Sequence, residues 1–213
     1  MKTQRCYSCP MARRSVSILL FDGFELLDVF GPAELLSALP DDFALSFLGP
    51  SRAPVASAQG VSVNPDRTYE PAAASDILLL PGGAGTRPLV SDEKFLDILR
   101  EHASRAGIVA SVCTGSLVLA AAGLLDGYRA TSNKSLFSFV SQHGQNVTWE
   151  PRARWVEDRD RWTSSGVAAG MDMTIALIRS LCGDAAAKTA ADDSEIEPQL
   201  DPSHDPFADL YGL

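Results

Sequence analysis

Cys113 lies between two apolar segments of different character. Residues 108–112 contain three β-branched side chains, whereas residues 115–125 form a longer apolar run that begins with glycine. This pattern predicts a buried strand that turns into a helix at Cys113, the geometry of a nucleophile elbow, which presents its side chain outward. Backbone amides and the dipole at a helix N-terminus favour an anion, so we expect a lowered thiol pKa and a reactive cysteine. A buried structural cysteine is the alternative, and the flanking pattern disfavours it.

Two other predicted strands bring polar groups to the same edge of a sheet. Residues 15–21 form an apolar run with Asp28 shortly after it, and residues 77–80 lead into Gly82-Gly83. Because the carboxyl ends of parallel strands meet at one edge, we expect a carboxylate, backbone amides and a thiol in one crevice. A carboxyl against a thiolate would keep one shared proton and serve as acid and base. The alternative is that Asp28 is only a helix-start carboxylate.

The remaining polar motifs predict neither a metal nor a cofactor. Residues 82–85 lack the spacing of a dinucleotide-binding loop and the lysine of a P-loop, so an anion-stabilising turn is preferred. Cys6 and Cys9 lack the two further ligands that a zinc site needs. Histidines occur only on predicted helix or tail positions, where solvated rings are expected: His102, His143 and His204.

Apolar segments and turn residues alternate along the whole chain. Gly31-Pro32 predicts a helix that begins at Pro32 and reaches residue 39, which leaves Asp28 in the connection before it. Further elements are predicted as strands at 43–48, 128–131 and 147–149, hairpins at 55–63 and 155–163, and helices after Ser91 and at 115–125, 136–140 and 167–181. Strands alternating with helices predict an α/β fold with a mostly parallel sheet covered on both faces.

Composition indicates a globular protein that acts on a small molecule. The chain has 213 residues, 46% hydrophobic and 21% charged, and no apolar run of membrane-spanning length. Its net charge of −9 comes mostly from residues 184–213, so the rest offers no basic surface for nucleic acid. Four cysteines without a disulfide-dense arrangement suit a reducing cytosol or nucleus, and we expect a cytoplasmic protein. We expect a disordered leader (1–14), one domain (15–193) and a solvated acidic tail (194–213), which leaves no room for a DNA-binding module.

Four sequence blocks together resemble the ThiJ/PfpI superfamily. They are F-D-G-F-E-L-L-D-V-F-G-P (21–32), L-L-L-P-G-G (78–83), V-C-T-G-S-L-V-L-A-A-A-G-L-L-D-G (112–127) and W-T-S-S-G-V-A-A-G-M-D-M (162–173). Their order and spacing match the family over residues 16–181. The resemblance implies the class I glutamine amidotransferase-like fold, a flavodoxin-like three-layer sandwich, and a homodimer.

Within the superfamily the sequence looks most like the isocyanide hydratase branch, in which an aspartate replaces the glutamate of glyoxalase-like relatives. Asp28 matches that aspartate. The resemblance implies a thiolate at Cys113, a proton-relaying carboxyl at Asp28 and anion-stabilising amides at Gly83 and Thr114, with Gly82 in the same turn. Two alternatives stay open for the next segment: Asn133 and Lys134 both line this pocket, or Lys134 is only a surface charge.

The sequence also departs from part of the superfamily. Relatives with a Cys–His pair carry histidine directly after the cysteine or about twenty residues later, where this chain has Thr114 and Asn133. The resemblance therefore does not extend to proteolysis or amidotransfer. It implies a cofactor-free hydratase or lyase, most concretely for isocyanides. Glyoxalase-like or natural-product-tailoring chemistry, an oxidisable redox sensor with an exposed Cys113, and a ligand-sensing domain remain the alternatives.

Overall fold

A computed structural model describes residues 13–213, and its elements follow the predicted alternation of strands and helices. The strands are β1 (Arg14–Leu19), β2 (Phe43–Gly49), β3 (Val55–Ala56), β4 (Ser62–Val63), β5 (Arg67–Thr68), β6 (Ser75–Leu80), β7 (Ala106–Ser111), β8 (Arg129–Ala130), β9 (Thr148–Trp149), β10 (Trp155–Asp158) and β11 (Arg161–Ser164). The helices are α1 (Leu26–Ser37), α2 (Thr86–Leu89), α3 (Glu93–Ser104), α4 (Gly115–Ala121), α5 (Phe137–Val140), α6 (Ala169–Cys182), α7 (Asp184–Asp193) and α8 (Phe207–Leu210), with a 3₁₀ turn at Lys134–Leu136.

Seven strands form the central sheet in the order β10-β11-β7-β6-β1-β2-β5. All neighbours are parallel except β10 and β11, which form the predicted hairpin. Strands β1, β6 and β7 lie in the middle because their apolar residues are buried on both faces. The register sets Leu80 opposite Ser111, so the chain leaves β6 and β7 side by side, toward Gly82 and Cys113.

Helices pack around this sheet in two groups. Helices α1, α6 and α7 contact one another, whereas α3 contacts α2 and α4 and packs against β6 and β7. The architecture is the predicted flavodoxin-like α/β sandwich. In the described part of the chain no helix is long and apolar enough to cross a membrane.

Helix α1 begins earlier than its proline predicted. It begins at Leu26, with Pro32 inside it, so Asp28 lies in its first turn and not in the connection before it. Proline in a helix interior removes one hydrogen bond, and burial of Val29 and the following apolar face compensates for that loss. The neighbouring Gly31 serves helix packing, because a Cβ there would lie 2.7 Å from Met171 Cγ of α6.

The residues at the two ends of the chain differ from the predicted solvated termini. Arg14 already belongs to β1 and pairs with Phe43, while Cys6 and Cys9 lie outside the described residues. In the acidic tail, Asp205 and Ala208 are 0% exposed, so the prediction of a solvated tail is wrong at these positions. The division into a leader, one domain and a tail stays a prediction, with its limits at 1–14, 15–193 and 194–213.

The expectation of solvated histidines is wrong for His102. Its ring is buried, and Nε2 lies 2.8 Å from the carbonyl oxygen of Tyr69. His102 belongs to the last turn of α3, whose inner face packs on the sheet. His204 is exposed as predicted.

Candidate active site

Cys113 occupies the turn between β7 and α4, as the sequence predicted. Its φ angle is 57°, a left-handed conformation that is uncommon for a residue with a side chain. The turn is held by the hydrogen bond from its backbone N–H to the carbonyl of Ser165, at 3.1 Å. Gly115 permits the tight turn, because a Cβ there would lie 2.4 Å from the carbonyl oxygen of Leu80.

The Cys113 side chain is only 6% exposed, which corrects the expectation of an outward, solvent-exposed thiol. Three donors act on its sulfur and lower the thiol pKa: the backbone amides of Thr114 and Val167 and the side-chain amide of Asn133. Burial, followed by the charge of Asp28, raises the thiol pKa to about 12, against the lowering effect of these donors. The prediction of a lowered pKa is therefore wrong for the free protein, since desolvation outweighs the helix terminus.

The Asp28 carboxyl is completely buried beside this thiol. Its Oδ2 accepts a hydrogen bond from the Gly82 amide at 2.8 Å, and the nearby Cys113 thiol lowers the pKa of the carboxyl slightly. No partner among the described residues reaches Oδ1. Burial raises the Asp28 pKa to about 7, with a further contribution from the charge of Glu25, although the Gly82 hydrogen bond opposes the rise. Near neutral pH this carboxyl therefore exists in both protonation states.

The amides at the Gly82-Gly83 turn are already engaged, which changes the roles predicted for them. Gly82 donates to Asp28, and the Gly83 amide donates to Thr114 Oγ1 at 3.0 Å. Thr114 Oγ1 is also 3.1 Å from Thr86 Oγ1. Of the amides predicted to stabilise an anion, Thr114 faces the sulfur and Gly83 does not. The glycine pair instead lets Asp28 and Thr114 approach, because a Cβ at Gly82 would lie 2.5 Å from Thr114 N and 2.9 Å from Asp28 Oδ2.

Asn133 joins the site from the segment after β8. Its Oδ1 accepts hydrogen bonds from Ser135 Oγ at 2.6 Å and from Leu136 N at 3.2 Å. With Oδ1 occupied by two donors, the Nδ2 group is left to face Cys113. Gly166 packs against that group, since a Cβ there would lie 2.5 Å from Asn133 Nδ2. The structure thus places Asn133 at the pocket, one of the two alternatives left open by the sequence.

Val167 is a site residue that sequence reasoning missed. Its backbone amide donates to the Cys113 sulfur, and its φ of 38° is unusual for a β-branched residue. It follows β11 through Gly166 and lies in the fourth sequence block quoted above. The glycine before it was the only local signal of an irregular turn, and nothing in the sequence placed that turn against Cys113.

Lys134 is neither surface charge nor a partner of Cys113. The residue is buried, and its Nζ donates to Thr131 Oγ1 at 2.8 Å, Ala153 O at 2.5 Å and Ser132 O at 3.3 Å. Burial lowers the Lys134 pKa to about 8, although the charge of Asp205 opposes the shift. The ammonium group therefore supports the loop that carries Asn133.

A cavity of about 220 Å³ opens onto Cys113. Its lining includes Gly83, Thr114, Asn133, Leu136 and Phe139. A larger cavity of about 610 Å³ lies beyond the Gly85 turn and does not include Cys113. Its lining holds no cysteine, so the smaller cavity is the candidate active site. Within residues 13–213, no group of three or more His, Cys, Asp or Glu side chains is arranged to hold a metal ion.

Comparison with known families shows where this chain belongs. The DJ-1/PfpI family profile matches residues 14–180, most of the chain. The chain belongs to the DJ-1/PfpI family. The resemblance noted from the four sequence blocks is thereby confirmed. The match ends before α7, so the C-terminal segment after residue 180 is not covered by the family profile.

Proteins similar to this chain are named for different activities. An isonitrile hydratase from Pseudomonas putida is 38% identical over 79% of this chain and 72% of its own. The transcriptional regulator GbdR of Pseudomonas aeruginosa is 31% identical, and this chain spans 46% of its length. The crystal structure of a ThiJ/PfpI family protein from Pseudomonas syringae is 33% identical, with a TM-score of 0.81 over 89% of this chain and 78% of that one.

Proposed function

We propose that this DJ-1/PfpI protein is a cofactor-free hydratase that adds water to isocyanides and releases N-substituted formamides. The observation that carries the proposal is the position of the buried Asp28 carboxyl beside the Cys113–Thr114 turn, with Gly82 between them, together with an Asp28 pKa that is raised to about 7. The 38% identity to an isonitrile hydratase supports the choice of substrate. The roles of Cys113, Asp28, Thr114 and Asn133 below are part of this proposal.

The first half of the reaction forms a thioimidate. Asp28 as carboxylate accepts the thiol proton while sulfur forms a bond to the terminal isocyanide carbon. The new carboxylic acid then gives this proton to the same carbon, which yields R–N=CH–S–Cys113 and restores the carboxylate. Donors from Thr114, Val167 and Asn133 stabilise the negative charge on sulfur before attack. Because these donors are in place before the reaction, they offset part of the cost of forming a thiolate in a buried site.

The second half adds water and breaks the carbon–sulfur bond. Asp28 takes a proton from water as the hydroxide adds to the carbon, and then protonates the nitrogen. The resulting R–NH–CH(OH)–S–Cys113 collapses as the hydroxyl proton passes through Asp28 to the departing sulfur. The products are R–NH–CHO and the free thiol, so one carboxyl serves as acid and base in both halves.

Turnover of isocyanides by the purified full-length chain tests this function. We expect N-substituted formamide as the product, with oxygen-18 from labelled water in its carbonyl, measured by mass spectrometry. Cys113→Ala should abolish turnover, whereas Cys182→Ala, which changes the half-buried cysteine at the end of α6, should retain it. Failure to form formamide, or equal turnover by Cys113→Ala, would contradict the proposal.

The alternatives predict different results in the same preparation. A glyoxalase-like or tailoring enzyme would turn over dicarbonyls or related electrophiles instead, again with dependence on Cys113. A redox sensor is supported by the three donors around the sulfur, which would also stabilise a sulfinate, although the thiol is buried. The similarity to GbdR allows a ligand-sensing role, which would give binding without turnover.

We further propose that the protein is a cytoplasmic homodimer whose only other partner is its small-molecule substrate. The dimer is the assembly implied by the family resemblance. Partly exposed Leu27 and Phe30 of α1 supply apolar surface next to the Asp28 turn for such a contact. Light scattering on the purified chain measures the assembly, and a monomer at micromolar concentration would contradict this part of the proposal.

A further inference from the structure

We propose that the C-terminal segment (residues 197–213) forms one wall of a chamber that selects an aromatic substituent on the substrate. This inference rests on the proposed isocyanide chemistry at Cys113 and deepens it. It assigns a specificity role to a part of the chain that the family profile, residues 14–180, does not cover. The proposal commits to Phe207 and Tyr211 as the residues that contact the substituent.

Buried charge pairs hold the C-terminal segment against the domain. Arg154, which is almost fully buried before β10, lies 2.7 Å from Asp172 of α6 and 3.6 Å from Asp205 of the segment. Asp172 also accepts a hydrogen bond from the backbone of Gln199 at 2.9 Å. Removing one partner of a buried ion pair is strongly destabilising, so these contacts fix the position of the segment against the domain.

A second set of contacts holds the end of the same segment. Arg152 donates to Asp209 at 2.7 Å and to the carbonyl oxygen of Leu213 at 2.7 Å. The backbone amide of Asp205 donates to the carbonyl of Arg152 at 2.8 Å. Ala208 of α8 is completely buried, so the helix turn that carries the aromatic residues is seated on the domain.

A chamber of about 230 Å³ lies between this segment and the site. Phe207 and Tyr211 of the C-terminal segment line it together with Gly166, Val167 and Ala168 of the turn after β11. The remaining lining residues are Asn133, Lys134, Ser135 and Ser165. Two aromatic residues and three small or apolar residues in the lining of one cavity favour a flat apolar group, such as an aryl substituent.

The chamber lies beside the reactive cavity. Asn133 and Ser135 line both cavities, and Val167 contributes its amide to the Cys113 sulfur. A substrate whose isocyanide carbon reaches Cys113 would therefore have its substituent next to this shared wall. The two rings are about half exposed, 53% for Phe207 and 49% for Tyr211, so a bound group would cover apolar surface that is otherwise in water.

Truncation of the two aromatic side chains tests their assignment to the substituent. In the double variant Phe207→Ala/Tyr211→Ala we expect kcat/KM for phenyl isocyanide to fall at least about tenfold, mostly through KM, because a single methylene in an apolar pocket already changes kcat/KM by about 10- to 200-fold. The rate with methyl isocyanide should stay within about twofold. The matched control is Leu210→Ala, which removes a 69% exposed side chain of the same helix turn that does not line the chamber.

Three results would overturn the proposal. The first is an equal fall for both isocyanides, and the second is an equal fall in the Leu210→Ala control. The third is a change in the oligomeric state of the double variant by light scattering, which would make the rings an intersubunit contact. Circular dichroism and a thermal melt confirm that each variant is folded.

A binding measurement separates failure of this inference from failure of the proposed function. N-phenylformamide should bind Cys113→Ala protein in calorimetry, and adding Phe207→Ala/Tyr211→Ala should weaken binding about tenfold, matching the effect on kcat/KM. If isocyanides are not turned over but this difference is seen, the chamber stands and the hydratase reaction is wrong. If isocyanides are turned over but N-phenylformamide does not bind, or binds both proteins equally, the chamber is wrong and the hydratase reaction stands.

Discussion

Replacing Asp28 with asparagine should stabilise the folded protein at pH 8 while it abolishes turnover. Asp28 is 0% exposed, and burial raises its pKa from an ordinary 3.8 to about 7. The folded state therefore binds the proton more tightly than the unfolded state, and stability falls as pH rises between these two values. Above pH 7 the protein carries the full cost of a buried carboxylate, which the amide of asparagine does not incur.

The structure sets the magnitude of this effect. The change from 3.8 to about 7 corresponds to about 4 kcal/mol at 1.36 kcal/mol per pH unit. Asparagine can keep the hydrogen bond from Gly82 through its own oxygen, but its amide hydrogens beside Cys113 must find acceptors. We therefore expect a gain of about 2–4 kcal/mol at pH 8, or about 4–16 °C in Tm for a chain of this size.

Urea unfolding of wild type and Asp28→Asn at pH 4.5, 6, 7 and 8, at one protein concentration, measures the difference. It should be smallest at pH 4.5, where the folded protein still holds the neutral carboxyl, grow by about 1.4 kcal/mol per pH unit as the pH rises toward 7, and reach a plateau above pH 7.5. Asp41→Asn, which removes an exposed carboxylate, controls for the change in net charge and should show no such plateau. Equal or lower stability of Asp28→Asn at pH 8, or a gain that does not change with pH, would refute the reasoning.

Four further predictions concern activity. Gly82→Ala should lower kcat at least about a hundredfold, because its Cβ would lie 2.5 Å from Thr114 N and displace the adjoining site; wild-type kcat in a folded variant would contradict this. Asn133→Ala should lower kcat about tenfold or more by removing one donor from the Cys113 sulfur, and a change in KM alone would argue against that role. In wild type, kcat/KM should rise with pH through about 7 as Asp28 becomes the carboxylate that accepts the thiol proton, and a flat profile between pH 5.5 and 8.5 would exclude this assignment. Turnover should survive EDTA, and elemental analysis should find no stoichiometric zinc or iron.

Much of the sheet and the meeting of three segments at one edge were predictable from the sequence. Uniformly apolar runs before Gly82 and Cys113 indicated parallel central strands, and parallel strands bring their carboxyl ends together whatever else surrounds them. The position of Asp28 within a helix was less predictable, because the sequence signal of Pro32 favours a helix start. Only the packing of α1 on α6 shows that Gly31-Pro32 lies inside the helix.

The sequence by itself therefore determined the fold class and the pairing of Asp28 with Cys113 at one edge of the sheet. The tertiary structure decided the electrostatics, because burial depends on every segment that covers a group. Burial by segments distant in the chain, followed by the charge of Asp28, raises the thiol pKa, although the donors of Asn133 and Val167 on two of those segments lower it. In the same way, local polarity predicted a solvated tail, whereas Asp205 is buried because Arg154 lies on the facing surface of the domain. Patterns of neighbouring residues indicate elements, but contacts between distant segments set which charges are desolvated and which donors reach the reacting atom.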